Sequence, residues 1–281
     1  MRKYIILLLL CGFIGNAQYN LFARQNFAHK IVSTYDADAQ AFITAAGLTD
    51  NTQKNAINTL VISLKGYGLW IKMKAIYPII GGTSFTHKWN LKDPRDLNIA
   101  YRLIFTTTNH TSTGINLISG AGGVDTNLNP FTELVDSDNH MSNYCYTDND
   151  GLYIDMGNVA AGTYYSLYNS FSNVFYSDNP NSSNRISVSN TISNGFYTSS
   201  RTSSVSHKGY KNGASITSTA ASMTGTFPNN QIGLLHAAGA GTPYTSNRTY
   251  NFFTIGSGLT DTDASNLYTA VLTFETTLGR N

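Results

Sequence analysis

The chain is 281 residues long, 41% hydrophobic and only 12% charged, with a formal net charge of +2. That length admits one large all-β domain or two smaller ones, and either can bury a substantial core. Polar positions are dominated by Asn, Ser, Thr, Gly and Tyr, a composition common in exported β-proteins and virion fibres; so small a net charge argues against a nucleic-acid partner, whose binding depends on neutralising phosphates.

The first segment reads as an export signal. Arg2 and Lys3 form a positive start, Tyr4 to Ile14 an apolar run, and Gly15-Asn16-Ala17 a small-residue site, so cleavage is expected after Ala17. The apolar run is too short to span a bilayer, and no membrane span is expected after cleavage. Losing Arg2 and Lys3 leaves 16 basic side chains against 16 acidic ones. Losing Cys11 leaves Cys145 alone, so no internal disulfide forms and the thiol is expected to be a buried small hydrophobe. The expected location is secreted or cell-surface.

Residues 18–82 read as a helical lead-in packed on a sandwich. Asp36 to Ala46 carries Ala39, Phe42, Ile43 and Ala46 at helical spacing, with Gly47 as the stop. Asp50 with Gln53 predicts a capping box for a second helix, whose stripe is Ala56, Ile57, Leu60 and Leu64. From Leu69 the period changes to two, which predicts a strand with Lys72 and Lys74 on one side. Ile99, Tyr101, Leu103 and Phe105 predict the next. Short strand-like runs then recur at 152–156, 164–168, 174–176, 185–188, 196–198, 205–210, 232–235 and 250–255, spacing that points to a sandwich rather than βαβ units. Asn212-Gly213 predicts a type I′ hairpin turn. A C-terminal helix starts at Thr260 and Asp263 and carries Ala264, Leu267, Val271 and Leu278.

Chemistry is sparse. The chain has two glutamates, Glu133 and Glu275, whereas a retaining glycosidase needs two carboxyls about 5 Å apart. No two of the six histidines are closer than 23 positions, so no local element can clamp a metal with two of them. The one dense acidic patch is Asp148, Asp150 and Asp155. Its functional reading is a Ca²⁺ site built from carboxylate and carbonyl oxygens; the plainer reading, favoured by the missing distal glutamate, is Asx turns leading into a strand. Eighteen tyrosines, with clusters at Tyr164, Tyr165 and Tyr168 and at Tyr176, offer aromatic faces that fit the apolar side of sugar rings. These four are the candidate ligand-binding residues, weighed against their being half-buried sheet residues. Trp70 and Trp89 read as packing.

Several runs carry a family resemblance: AFITAAGLTD at 41–50, AINTLV at 56–61, LKGYGLW at 64–70, KMKAIYP at 72–78, Gly81-Gly82, HKWNL at 87–91 followed by Pro94, YKNG at 210–213 and FFTIG at 252–256. Together they resemble tail-associated and other virion proteins of phages infecting Bacteroidetes, which carry a concanavalin A-like (laminin-G-like) sandwich. The resemblance implies a lectin-like binding or structural module at a particle or cell surface and supplies no catalytic residues. The export signal departs from that pattern.

The fold expected is therefore mainly β: a concanavalin A-like jelly-roll β-sandwich at 83–281, with an N-terminal helical hairpin and a C-terminal helix. The function expected is recognition of a surface glycan or a protein partner. The alternatives are a glycan-degrading sandwich enzyme using aspartates, or a structural fibre subunit that self-associates as a homo-oligomer.

Overall fold

The computed structural model describes residues 35–118, 122–239 and 245–281. The export signal expected at 1–17, Cys11 and the lead-in at 18–34 lie outside the described residues.

Helix α1 (Ala37–Ala46) buries Ala39, Phe42, Ile43 and Ala46. Asp36 caps it, and Gly47 ends it at φ 64°, a left-handed conformation open to a residue without Cβ. Helix α2 (Asn51–Gly66) begins at Asp50, whose carboxylate accepts from the Gln53 N–H at 2.8 Å. It buries Ala56, Ile57, Leu60, Val61 and Leu64. The strand expected from Leu69 starts later. Trp70–Lys72 form a 3₁₀ turn, and β1 (Met73–Tyr77) follows. That turn is held from outside: Lys92 lies 4.1 Å over the Trp70 ring and donates to the Trp70 carbonyl. Two short helices, α3 (Ser84–His87) and α4 (Pro130–Glu133), interrupt the loops that follow.

Two sheets make the body. The first runs β13 (Ala214–Thr219), β12 (Ser206–Lys211), β11 (Gly195–Ser203), β6 (Asn139–Cys145), β16 (Tyr250–Gly256), β4 (Gly114–Leu117) and β3 (Thr108–Thr111), with β1 also paired to β16. The second runs β10 (Ile186–Ser189), β9 (Val174–Asp178), β8 (Thr163–Tyr168), β7 (Met156–Ala160), β14 (Gly233–Leu234), β5 (Gly123–Asp125) and β2 (Ile104–Thr106). Among the described residues all pairings between these strands are antiparallel except that of β15 (Ala237–Ala238) on β7. The Asn212-Gly213 turn between β12 and β13 has φ of 50° and 76°, the two positive values a type I′ turn requires. The alternation at 99–105 does not become one strand. Asn98–Ala100 form a 3₁₀ turn and Tyr101 is left-handed at φ 58°, its hydroxyl donating to Glu133 at 2.6 Å.

Apolar residues separate into layers. Between the sheets lie Ala75, Tyr77, Met141, Cys145, Met156, Leu167, Phe175, Tyr197, Tyr250 and Phe253. On the other side of the first sheet, Met73, Ile76, Tyr144, Phe196 and Phe252 meet the buried stripes of α1, α2 and α5 (Asp261–Thr277). Cys145 is buried, and burial pushes its thiol pKa up. The protein is thus a mainly β, two-sheet sandwich with a helical hairpin before it and a long helix after it. No helix among the described residues is long and apolar enough to cross a membrane.

Candidate functional site

The three long helices all pack on the first sheet, so side chains on the outer face of the second sheet escape that cover. There β8 and β9 bring tyrosines together. Tyr168 pairs directly with Tyr176 across the strands, and Tyr164 lies on the same face two positions apart at each step, through Ser166. Between these strands the chain turns tightly: Phe171 and Val174 exchange backbone hydrogen bonds, with Ser172 and Asn173 at φ 52° and 63°. This turn delivers Phe171 to the tyrosines. Tyr168, Phe171 and Tyr176 meet edge to face, with ring centroids 5.7 to 6.2 Å apart and interplanar angles of 78° to 88°. Together with Ile154, Tyr164 and Arg185 they line a bowl of about 240 Å³.

Arg185, just before β10, forms the polar rim. Its Nε and Nη2 donate to Asp178 Oδ1 and Oδ2 at 2.6 and 2.8 Å, a bidentate fork. The guanidinium lies 5.3 Å from the Tyr168 ring centroid and 5.0 Å from that of Tyr176. Tyr168 also gives its hydroxyl proton to Asp178 at 3.0 Å. Asp178 is fully buried whereas the Arg185 side chain is 41% exposed. Hydrogen bonds from Arg185 to Asp178 hold the guanidinium charged; burial raises the Asp178 carboxyl pKa, and Arg185 pulls against it. Burial raises the Tyr168 phenol, so its proton stays in place.

Three of the four tyrosines named from sequence therefore share one cavity. Tyr165 does not. It points into the space between the sheets, fully buried, and its hydroxyl donates to Asn139 at 3.1 Å. Neighbours in a strand face opposite ways, so Tyr164 and Tyr165 could not both reach one ligand. Phe171, Ile154, Asp178 and Arg185 were missed. Arg185 had a signal: it is the one Lys or Arg between Arg102 and Arg201.

The acidic patch supports this bowl from beneath. Asp150 accepts the Ser170 hydroxyl at 2.7 Å and the Asn173 N–H at 3.0 Å, fixing the turn that carries Phe171. Asp155 is fully buried; it accepts the Asn169 N–H at 2.6 Å, the Tyr250 hydroxyl, and Arg248 Nη1 at 2.6 Å. Arg248 also reaches the carbonyls of Asn149 and Ser170. Asp148 accepts from Ser193 N–H and hydroxyl. The three carboxylates expected to share a Ca²⁺ ion are thus each taken up by protein donors, and a guanidinium supplies the positive charge. Among the described residues no group of three or more His, Cys, Asp or Glu is placed to hold a metal ion.

Other reactive constellations are closed off. Ser177 donates its hydroxyl proton to Ser199 at 2.5 Å, and the two hydroxyls lie 3.0 and 3.3 Å from His207 Nε2, with Nδ1 on the Asn184 carbonyl. The carbonyl requires a proton on Nδ1, so Nε2 accepts, the arrangement of a serine–histidine dyad. All of Ser177, Ser199 and His207 are fully buried between the sheets, and burial lowers the imidazole pKa to about 3. His87 and His110, distant in sequence, meet Nδ1 to Nδ1 at 3.0 Å. Glu133 is held by Lys74 and Tyr101, and Glu275 is buried against Arg280.

No protein-family model matches the chain, and no curated protein matches it. Solved structures do. A mutant of Trypanosoma rangeli sialidase displaying trans-sialidase activity aligns with a TM-score of 0.52 at 8% identity, over 78% of this chain and 39% of the sialidase. Trypanosoma rangeli sialidase in complex with sialic acid aligns with a TM-score of 0.51 at 9% identity, over 75% and 38%. What they share is the β-sandwich. Domain 4 of AbnA, a GH43 extracellular arabinanase from Geobacillus stearothermophilus, in complex with arabinotriose, aligns with a TM-score of 0.45 at 13% identity, over 70% of this chain and 98% of that domain. The chain therefore spans about two fifths of the sialidases it matches.

Proposed function

We propose that this chain is a carbohydrate-binding module that seats a saccharide ring in the bowl on its second sheet and does not cleave it. The observation that carries the reading is the convergence of Tyr164, Tyr168, Phe171 and Tyr176 with Arg185 around one open cavity. Aromatic faces take the C–H side of a sugar, and the guanidinium edge takes its hydroxyls. Among the described residues the bowl presents no pair of carboxyls: the carboxylate behind it, Asp178, is fully buried and forked to Arg185. That supports binding over hydrolysis by the paired-carboxyl route, in which one carboxyl acts as acid and the other as base or nucleophile. A module of this kind acts at a cell surface, in a secreted state or on a virion.

A glycan array followed by calorimetry, with and without Ca²⁺, tests the reading. Saccharide binding that weakens at least about tenfold in Tyr176→Ala supports it. Binding indifferent to Tyr176 and Phe171, or release of reducing ends from a polysaccharide, would sink it.

A further inference from the structure

We infer that the bowl selects neutral saccharides over acidic ones, because the cation on its rim has its charge returned from behind by a buried carboxylate. This rests on the module reading above and sharpens it to a ligand class. The Arg185 Nε and Nη2 are spent on Asp178, and Nη2 leans 3.3 Å from the Tyr168 hydroxyl. Nη1 is left with two N–H groups and no protein partner among the described residues, on a side chain 41% exposed. Two donors fixed in one plane match the hydroxyl oxygens of a sugar ring.

A ligand carboxylate would fare worse at the same edge. It would lose hydration on entering, and the charge it met would be half of an ion pair, with Asp178 on the far side of the same guanidinium. Rotating Arg185 outward to greet an anion would break the fork and leave Asp178 buried without a counter-charge. The remaining walls are Ile154 and the rings of Tyr164, Tyr168, Phe171 and Tyr176, which offer an anion no second cation. A cationic ligand is disfavoured on different grounds. The position over the Tyr168 and Tyr176 rings where its charge would rest already holds the guanidinium.

The test pairs probes that differ only in oxidation at C6: galacto- against galacturono-oligosaccharides and gluco- against glucurono-oligosaccharides of equal length, titrated into the unaltered protein. Neutral members are expected to bind at least about tenfold tighter, with affinity flat across a salt series because no net charge is exchanged. In Asp178→Asn, which removes the counter-charge while keeping shape, the acidic-to-neutral affinity ratio is expected to rise by about tenfold. Acidic probes binding the unaltered protein as tightly as neutral ones, or affinity falling with salt, would overturn the inference and leave the module reading intact. Neither series binding would overturn the module reading itself. Should Asp178→Asn not fold, the salt series and probe pairs on the unaltered protein decide the matter.

Discussion

The two sheets present outer faces of opposite chemistry. On the first, Tyr144, Phe196 and Phe252 turn ring bodies toward Val271 and Phe274 of α5, and aromatic surface is consumed by helices. On the second, Tyr164 and Tyr176 stay partly open, and the more deeply buried Tyr168 shares the Arg185 guanidinium with Tyr176. Aromatic content alone distinguishes neither face. What distinguishes them is whether a stripe of Ala, Leu and Val is available to close over the rings.

Breaking the sealed face should cost most. Phe252 is fully buried, its ring 5.8 Å from Phe274 and 6.5 Å from Phe196, so Phe252→Ala is expected to lower stability by about 3–5 kcal/mol in urea unfolding. A much smaller loss would mean the helices rest only loosely on the sheet.

Acid probes the interior between the two faces. Burial lowers His87 and His207 to about 3 and His140 to about 4, from 6.5. Below pH 6.5 the unfolded chain takes up protons that the folded one refuses, so stability falls as pH drops toward 4, by about 1.4 kcal/mol per unit for each histidine. Glu275 runs the other way: burial raises it to about 7 from 4.5, so it offsets roughly one histidine in that window. The net expectation is a midpoint that declines from pH 6.5 to 4, with a shallower decline in His207→Gln. An unchanged slope in that variant would show that His207 titrates freely.

The start of α5 offers a gentler cut at the sealed face. Thr260 accepts from the Asp263 N–H at 3.2 Å while Asp263 accepts from the Thr260 N–H at 2.9 Å. Thr260→Ala should cost about 1 kcal/mol, read by thermal melting, with saccharide affinity unmoved. The smallest stability effect is expected on the open face. Tyr176→Ala should shift stability by less than about 1 kcal/mol while weakening saccharide binding. A large destabilisation there would mean the bowl is packing after all.

Helical and turn features were plain in the sequence because each is set by neighbours within a few positions. The stripes of α1 and α2, the Asp50 and Thr260 starts and the Asn212-Gly213 turn all belong to this kind. Features fixed by distant partners were not. Extended alternation at Leu69 to Lys72 yields to a turn held by Lys92, and Tyr101 leaves its strand to reach Glu133. In β16, Tyr250 and Phe252 face consecutive residues of β6, Cys145 and Tyr144, a bulge at Asn251 that puts Tyr250 and Phe253 on one side. The bowl was half legible for the same reason. Its tyrosines cluster in sequence, whereas Phe171 and Arg185 join them only because β8, β9 and β10 lie side by side. The pairing of Asp155 with Arg248 was equally hidden, since the two sit nearly a hundred positions apart.

Strand β16 comes after every other strand of its sheet in the chain, yet it lies between β6 on one side and β1 and β4 on the other. Until it emerges, β1 and the β3–β4 pair have no sheet to join, and α1 and α2 have no floor to rest on. A nascent chain leaving a ribosome or threading a pore would therefore stay open at that seam until β16 appears.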